Sequence, residues 1–334
     1  MSGESLASAA ALLRAGEPVA FPTETVYGLG ANALDAGACR RIFAVKGRPA
    51  DNPLIVHIAG MERLRDVCAV WPPEARLLAV RFWPGPLTLV LPRQKGVPPE
   101  VTGGLDTVGV RMPDHPLALA LIRTAGLPLA APSANLSGKP SPTTADHVWR
   151  DLQGRIPLIM DGGPCRVGLE STVLDLTAGS PVILRPGGVT KEELEQALGK
   201  AVMTADEAGE SAPKAPGMKY RHYAPQGRVM PISADSAAAG RQIAEQLRTV
   251  RPGERVALLA TDETLAGLDA AQRARLTPVF SLGGARRPAQ AAARLFTGLR
   301  LADESRAGLI LVQETEDSGV GSAFMNRLRK AARG

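Results

Sequence analysis

The chain has 334 residues, a formal net charge of +6 and a hydrophobic content of 45%. These values exclude a disordered chain, and the length exceeds one typical core, so we predict two domains. No apolar run approaches the roughly 18 residues of a membrane-spanning helix, and the N-terminus lacks the basic start of a signal peptide. We therefore expect a cytoplasmic protein with no membrane segment. The mild basic excess permits contact with nucleic acid without requiring it.

The cysteines and histidines are too scattered to predict a metal centre. Cys39, Cys68 and Cys165 are widely spaced and form no C-x-x-C pair. Buried thiols in a reducing compartment are the expectation. We predict no metal ligands among the side chains.

Short apolar runs alternate with helical patterns over roughly the first 200 residues. A first helix ends at Gly16. The predicted strands are 18–21, 53–58, 87–91, 107–112, 128–132, 156–161, 171–176 and 181–185. The predicted helices are 35–45, 61–69, 73–82, 115–125, 143–152 and 190–198. Because many turns contain Pro or Gly, we predict an α/β domain with a twisted mixed sheet.

Residues 203–227 have no periodicity and are rich in Ala, Pro and Gly, which predicts a linker. Two of the three tyrosines of the chain, Tyr220 and Tyr223, lie in this segment within MKYRHYAP. One interpretation is that the segment simply docks on a domain surface. The alternative is a lid that closes over a bound ligand and excludes water.

The last third of the chain alternates regularly between strands and helices. Strands are predicted at 228–232, 255–260, 278–282 and 308–312, with helices at 237–249, 263–275, 288–302 and 320–332. This alternation predicts a small parallel sheet with helices on both faces. No polar constellation here compares with that of the first domain, to which we assign the chemistry.

Lys46 and Arg48 are the strongest sign of an anionic ligand. They are two residues apart, so an extended backbone would point both side chains to the same side. Two neighbouring cations repel each other unless an anion lies between them, and a polyphosphate fits. The alternative is a solvated basic turn.

Ser133 and Asn135 follow the predicted strand 128–132 with the same spacing. A hydroxyl and an amide at the end of a strand suit a phosphate, a ribose or a base edge, and Ser141 has similar surroundings. The pair could instead be an Asx or Ser turn.

Thr107, Gly109 and Arg111 share one face of the predicted strand 107–112. An arginine that projects from a sheet beside a glycine indicates a carboxylate ligand. His57 lies on strand 53–58 and is either a substrate contact or a structural histidine.

Two further segments end strands with polar groups. Ser171 precedes the strand 171–176 in GLESTVLDL, and Arg185 ends the strand 181–185 before Pro-Gly-Gly. Either could only stabilise a turn. The P-loop pattern is absent, and the Gly28-x-Gly30 sequence starts too far from strand 18–21 for a dinucleotide fingerprint.

Together these segments resemble the YrdC-type threonylcarbamoyl-AMP synthases in their long, two-domain form. The motifs are PTETVYGLG, KGRPADNPLIVHI, VGVRMPDH, APSANLSGKPSPT, LESTVLDL and LRPGG. The resemblance implies a YrdC-like catalytic domain over 1–202, whose twisted mixed sheet has a basic concave cleft. A linker or lid over 203–227 and a smaller Rossmann-like parallel α/β domain over 228–334 would follow.

The resemblance also implies the reaction. L-Threonine, bicarbonate or CO2, and ATP would give threonylcarbamoyl-AMP and pyrophosphate. A downstream tRNA threonylcarbamoyl-transfer complex would pass the group to the adenosine next to the anticodon of tRNAs that read ANN codons. Direct contact with tRNA is possible, and Mg²⁺ would be held mainly by the phosphates.

Site residues follow from the resemblance by motif. L-Threonine would be surrounded by Thr25, His57, Arg111, Ala131 and Ser171. ATP would be held by Lys46, Arg48, Asn52, Thr107, Ser133, Asn135, Ser141 and Arg185, with Tyr220 or Tyr223. Lys46 and Arg48 are the expected catalytic residues.

Two other functions would use the same cations. A double-stranded RNA or tRNA-binding module without catalysis could track phosphates with Lys46, Arg48 and Arg111. A carbamoyl-transfer enzyme that uses carbamoyl phosphate is a third candidate. Its relatives are longer chains with zinc-finger cysteines, which this sequence lacks.

Overall fold

The computed structural model describes residues 3–209, 223–251 and 253–333. They form two compact units. The first contains the described residues up to 137, 141–166 and 170–209, and the second contains 138–140, 167–169 and the described residues from 223 onward. No described helix is long and apolar enough to cross a membrane.

A ten-stranded sheet organises the first unit. Its strands are β1 (Val19–Phe21), β2 (Gly28–Asn32), β3 (Ile55–His57), β4 (Leu87–Pro92), β5 (Thr107–Arg111), β6 (Leu129–Ala130), β7 (Leu158–Ile159), β8 (Thr172–Asp175), β9 (Val182–Arg185) and β10 (Met203–Thr204). The order is β10-β9-β8-β4-β5-β3-β6-β2-β1-β7. Neighbours β3 and β5 are parallel, whereas β4 and β5 are antiparallel. The mixed sheet is therefore confirmed.

Helices connect these strands. They are α1 (Gly3–Arg14), α2 (Ala36–Lys46), a 3-10 turn (Met61–Arg63), α3 (Leu64–Val67), α4 (Pro73–Phe82), α5 (Pro99–Thr102), α6 (Pro116–Ala125), α7 (Ala145–Leu152) and α8 (Lys191–Leu198). The single helix predicted at 61–69 is wrong, because a 3-10 turn precedes α3 and α3 ends at Val67. The sequence did not predict α5 or β10, which are four and two residues long.

The two faces of the central strands differ in chemistry. Val56, Val108 and Val110 lie in the main apolar core of the first unit. Burial of each such side chain contributes roughly 1.5–3 kcal/mol. Because side chains alternate along a strand, Arg111 and His57 project to the other face. The expected common face of Thr107, Gly109 and Arg111 is confirmed by the burial of the two valines between them.

The Gly28-x-Gly30 sequence is part of strand β2 and pairs antiparallel with β1. A Cβ atom on Gly30 would lie 2.7 Å from Cε1 of Phe21. Gly30 therefore makes room for the Phe21 ring. This packing requirement explains both the glycine and the failure of the sequence to predict β2, since glycine disfavours strands.

The second unit is a four-stranded, all-parallel sheet in the order β11-β14-β12-β13, as predicted. Its elements are β11 (Arg228–Ile232), α9 (Ser236–Thr249), β12 (Val256–Ala260), α10 (Asp262–Ala266), α11 (Ala270–Ala274), β13 (Leu276–Ser281), α12 (Pro288–Glu304), β14 (Leu309–Gln313) and α13 (Val320–Ala332). The single helix predicted at 263–275 is wrong. Gly267 ends α10, and Asp269 starts α11 with a capping box that includes Gln272.

Candidate functional site

Arg111 stands at the centre of a buried polar cluster in the first unit. It ends β5 directly opposite His57 on β3. Its Nε donates to the carbonyl of Gly85 at 3.1 Å, and its Nη1 donates to the Thr25 hydroxyl at 2.9 Å. Its Nη2 lies 2.5 Å from Oε1 of Glu24. The guanidinium is therefore fixed from three directions.

His57 is neutral in this cluster. Its Nδ1 lies 3.1 Å from the carbonyl of Ile55, and its ring is nearly perpendicular to that of Phe21, with the ring centroids 6.1 Å apart. Burial, helped by the charge of Arg111, lowers the pKa of His57 to about 3. His57 therefore adds no charge to the cluster at physiological pH.

Glu24 is a site residue that sequence reasoning missed. Only 2% of its surface is exposed, and it forms an ion pair with Arg111. Among the described residues, neither of its carboxylate oxygens accepts a hydrogen bond. Its position between two threonines after β1 was visible in the sequence, but that signal did not reveal the pairing with Arg111.

Ser171 and Arg185 form a second part of the site. The Ser171 hydroxyl lies 2.8 Å from that of Thr88 on β4, and Arg185 Nη2 donates to the Ser171 carbonyl at 3.0 Å. A Cβ on Gly187 would lie 2.2 Å from the Thr172 nitrogen. The Pro-Gly-Gly turn therefore presses against the backbone that presents Ser171, which only glycine permits.

The extended backbone expected at Lys46 and Arg48 is wrong. Lys46 is the last residue of α2, and Gly47 caps the helix with a φ of 61°. Lys46 Nζ donates to the carbonyl of Ser133 at 2.6 Å and to that of Asn135 at 2.5 Å. The cation is therefore positioned by the helix end and by the 133–135 loop.

That loop brings the second predicted pair next to Lys46. The Ser133 hydroxyl donates to Oδ1 of Asn135 at 2.5 Å, and Asn135 Nδ2 donates to the Leu136 carbonyl at 2.8 Å. These are turn-type hydrogen bonds, as expected for the alternative of an Asx or Ser turn.

Arg48 and Asn52 lie together just beyond α2. Arg48 Nη2 donates to the carbonyl of Pro53 at 2.9 Å, and its Nε donates to that of Asn52 at 3.3 Å. Nδ2 of Asn52 is buried and has no hydrogen-bond partner among the described residues. An amide donor without a partner is costly in a protein interior and is satisfied by a polar ligand.

The remaining predicted residues occupy separate places. The Ser141 hydroxyl donates to Glu170 Oε1 at 2.5 Å, Ala131 donates its backbone N–H to Ile55, and Thr107 begins β5. Tyr220 lies outside the described residues. Tyr223 belongs to the second unit, where its ring stacks on Phe296 at 5.1 Å. The nucleotide contact by one of these tyrosines stays a prediction.

Buried cations and buried, protonated thiols characterise the described part of the site. Lys46, Arg48, Arg111 and Arg185 are all buried. Cys39, Cys68 and Cys165 are free and buried as expected, and burial raises the pKa of each thiol to about 12. Over residues 3–209, 223–251 and 253–333, no group of three His, Cys, Asp or Glu side chains is arranged to hold a metal ion.

Comparison with known proteins shows the family. The Sua5/YciO/YrdC model, described as telomere recombination, matches residues 11–187. A model described as the C-terminal domain of threonylcarbamoyl-AMP synthase matches residues 189–333. The threonylcarbamoyl-AMP synthase of Pyrococcus abyssi is 50% identical over 327 residues, which cover 97% of this chain and 93% of that protein. The chain belongs to the threonylcarbamoyl-AMP synthase family.

One further relative and one solved structure support this assignment. The threonylcarbamoyl-AMP synthase of Bacillus subtilis is 50% identical over 331 residues, covering 98% of this chain and 93% of that protein. A crystal structure of P. abyssi Sua5 complexed with L-threonine superposes with a TM-score of 0.89 at 48% identity, over 98% of this chain and 94% of that one. Both curated relatives are named threonylcarbamoyl-AMP synthases, which are enzymes. The predicted family in its two-domain form and the prediction of an enzyme are therefore confirmed.

Proposed function

We propose that the chain converts L-threonine, bicarbonate or CO2, and ATP into L-threonylcarbamoyl-AMP and pyrophosphate. The observation that carries this proposal is the buried cluster of Thr25, His57 and Arg111. His57 and Arg111 lie opposite each other on β3 and β5, and Thr25 is hydrogen-bonded to Arg111 from the loop after β1. The structure of P. abyssi Sua5 with L-threonine, a chain that is 48% identical to this one, supports the proposal. An arginine, a hydroxyl and a neutral imidazole together suit an amino acid with a hydroxyl side chain.

The predicted threonine-binding residues would each contact a different group of the ligand. Arg111 would receive the carboxylate, because a guanidinium is the side chain best matched to it. Thr25 and neutral His57 would contact the remaining polar groups. Ser171 would close one side through its hydroxyl and Ala131 would contribute backbone only.

The ATP-binding residues would surround the triphosphate with buried positive charge. Lys46 and Arg48 would stabilise the phosphates, with the Asn52 amide and Arg185 close to the nucleotide. Ser133, Asn135, Ser141 and Thr107 would supply neutral hydrogen bonds. The hydrogen bonds already made by Lys46 to two backbone carbonyls hold its charge in place before the nucleotide arrives.

Chemistry would proceed by positioning and charge stabilisation. The neutral amine of threonine adds to CO2 with loss of a proton, or to bicarbonate with loss of water, to form a carbamate. The carbamate oxygen then attacks the α-phosphorus and expels pyrophosphate. Lys46 and Arg48 would stabilise the negative charge in this phosphoryl transfer, with no covalent enzyme intermediate. The described residues offer no carboxylate cluster for Mg²⁺, so we infer that the ion enters with ATP on its phosphates.

A downstream step would consume the product. A carbamate joined to AMP as a mixed anhydride hydrolyses readily, so a tRNA threonylcarbamoyl-transfer complex would take it up for the adenosine next to the anticodon of tRNAs that read ANN codons. Direct tRNA contact by this chain is a further proposal. Binding that weakens steeply with salt would support it.

The test of the proposal is pyrophosphate release with each substrate omitted in turn. Release should require ATP, L-threonine and bicarbonate together, and D-threonine should replace L-threonine poorly. A protein that binds RNA without catalysis would release no pyrophosphate under any of these conditions. Release that is independent of threonine would contradict the proposed substrate set.

A further inference from the structure

Arg111, the residue assigned to the substrate carboxylate, already has an anionic partner. Glu24 lies 2.5 Å from its Nη2, and both side chains are almost completely buried. A second carboxylate placed against Arg111 would therefore meet a nearby negative charge. For a ligand that carries only a negative charge, the attraction to Arg111 and the repulsion from Glu24 would largely cancel.

The cancellation disappears for a zwitterion. An α-amino acid carries a carboxylate and an ammonium group a few ångströms apart, as the Arg111 guanidinium and the Glu24 carboxylate are. If the ligand carboxylate faces Arg111 and its ammonium faces Glu24, both buried charges are compensated. A buried charge pair of this kind is stable when its remaining hydrogen-bonding capacity is satisfied.

Glu24 has that remaining capacity. Neither of its oxygens accepts a hydrogen bond from the residues that the structure describes, although the side chain is buried. Four acceptor positions exist on an ionised carboxylate, and an ammonium group supplies three donors. A buried acid that forms an ion pair but accepts no hydrogen bond is suited to receive such a donor.

The other titratable groups around the cluster do not offer this role. His57 is neutral because burial and Arg111 lower its pKa to about 3, and burial raises the pKa of the Cys165 thiol to about 12. Burial lowers the pKa of His115, which senses the charge of Glu24. Asp161 is an acceptor for Tyr27. Glu24 is the anion that faces Arg111.

We propose that Glu24 binds the α-ammonium group of the amino-acid substrate while Arg111 binds its carboxylate. This inference rests on the proposed function, since it requires L-threonine at the cluster. Glu24 and Arg111 together would then select α-amino acids over hydroxy acids in the initial complex. Glu24 would orient the nitrogen there, before that nitrogen loses a proton and the resulting neutral amine forms the carbamate.

The test compares two ligands on the full-length protein by calorimetry. They are L-threonine and 2,3-dihydroxybutanoate of matching stereochemistry, in which a hydroxyl replaces the ammonium group. In Glu24→Gln, which keeps shape and removes charge, threonine affinity should fall about 10- to 100-fold, the range of a charged hydrogen bond. The hydroxy acid should bind at least as tightly as it does to wild type, because the repelling charge is gone.

A structural role would give a different pattern. If Glu24 only orients Arg111, Glu24→Gln should weaken both ligands equally, and an unchanged affinity ratio would overturn the inference. Asp175→Asn is the matched control, because Asp175 is a buried acid on β8 that accepts from Thr177. It should leave the affinity ratio unchanged.

Folding and the proposed function are checked separately. Affinity of Glu24→Gln for a non-hydrolysable ATP analogue should match wild type, which shows an intact site. If it does not, Glu24→Asp, which keeps the charge, must restore the preference for threonine or the inference fails. Wild-type protein that binds the ATP analogue but no L-threonine would overturn the proposed function, and this inference with it. Normal threonine binding by both wild type and Glu24→Gln would overturn the inference alone.

Discussion

Both units bury polar side chains, but they use them differently. In the first unit, charged groups of both signs lie near the ends of strands and helices, as Lys46, Arg111 and Glu24 show. In the second unit, the buried Gln313 at the end of β14 accepts from the N–H and hydroxyl of Thr261 and donates to the Ala234 carbonyl. The Gln313 amide ties strands together, whereas Glu24 retains unused acceptors. Among the described residues, a buried carboxylate whose oxygens accept no hydrogen bond, rather than burial alone, distinguishes the candidate ligand site.

The largest expected effect is loss of activity in Arg48→Ala. The variant removes both the proposed phosphate contact and the hydrogen bonds to the carbonyls of Asn52 and Pro53. Pyrophosphate release should fall more than about 100-fold, the usual scale for a charge that stabilises a transition state. Arg40→Ala is the control, because Arg40 is an exposed arginine of α2 whose salt bridge to Glu100 contributes little. Near-normal activity in Arg48→Ala would contradict the assignment of the phosphoryl-transfer chemistry to this part of the first unit.

Arg111→Ala should separate the two substrates. Loss of the guanidinium leaves the threonine carboxylate unpaired and Glu24 without its partner. The KM for threonine should rise at least about tenfold, while the KM for ATP should change much less. Steady-state kinetics with each substrate varied in turn would check this. Equal increases in both constants would contradict the carboxylate role.

Gly187→Ala should test how the first unit presents Ser171. The added Cβ would lie 2.2–2.5 Å from backbone atoms of residues 170–172, so the turn must shift. Overpacking of this kind costs about 1–3 kcal/mol, and the displaced Ser171 should reduce activity as well. Gly179→Ala meets nothing within 4 Å and is the control. Thermal unfolding and pyrophosphate release would be measured on both, and a Gly187→Ala variant that matched Gly179→Ala would refute the packing argument.

Gln313→Leu should affect stability alone. It leaves the buried N–H of Thr261 without an acceptor, which costs roughly 1–3 kcal/mol. Denaturant unfolding should show the lower free energy, while kcat and both KM values measured well below the transition should match wild type. A selective change in kcat would show that the second unit contributes to the chemistry, and the comparison between the units would then fail.

The smallest effect concerns pH. The pKa of His57 is about 3 in the folded chain, whereas its ordinary value is 6.5. Between pH 6.5 and pH 3 the unfolded chain therefore binds a proton at His57 that the folded chain does not. Stability contributed by His57 is therefore complete above about pH 6.5 and declines as the pH falls toward 3. Between pH 6.5 and 5 the loss should be on the order of 1–2 kcal/mol. Urea unfolding at several pH values should show that the free energy of unfolding falls less steeply with decreasing pH in His57→Gln than in wild type. The same pH dependence in both proteins would contradict a neutral buried His57.

Strand alternation allowed much of the site to be predicted from sequence. It placed Thr107 and Arg111 on the face opposite Val108 and Val110, because a period of two leaves no other arrangement. The same reasoning failed at Lys46, where α2 continues to the lysine and Gly47 ends it. Sequence shows a helix boundary only approximately.

Other features depend on contacts between distant residues. In the sequence, Glu24 is an acidic residue in a turn, and only the structure shows that β5 places Arg111 beside it. Strand β2 reads as a glycine turn until Phe21 is seen to fill the space that Gly30 leaves. Sequence spacing carries no information about either pairing, since both depend on which strands become neighbours in the sheet.

The most direct test of the proposed function is mass spectrometry of the product formed from ATP, L-threonine and ¹³C-bicarbonate. The proposal predicts threonylcarbamoyl-AMP that carries one ¹³C atom and appears with one equivalent of pyrophosphate, with much less product when serine replaces threonine. Formation of threonyl-AMP without the labelled carbon, or of ADP and phosphate alone, would contradict it.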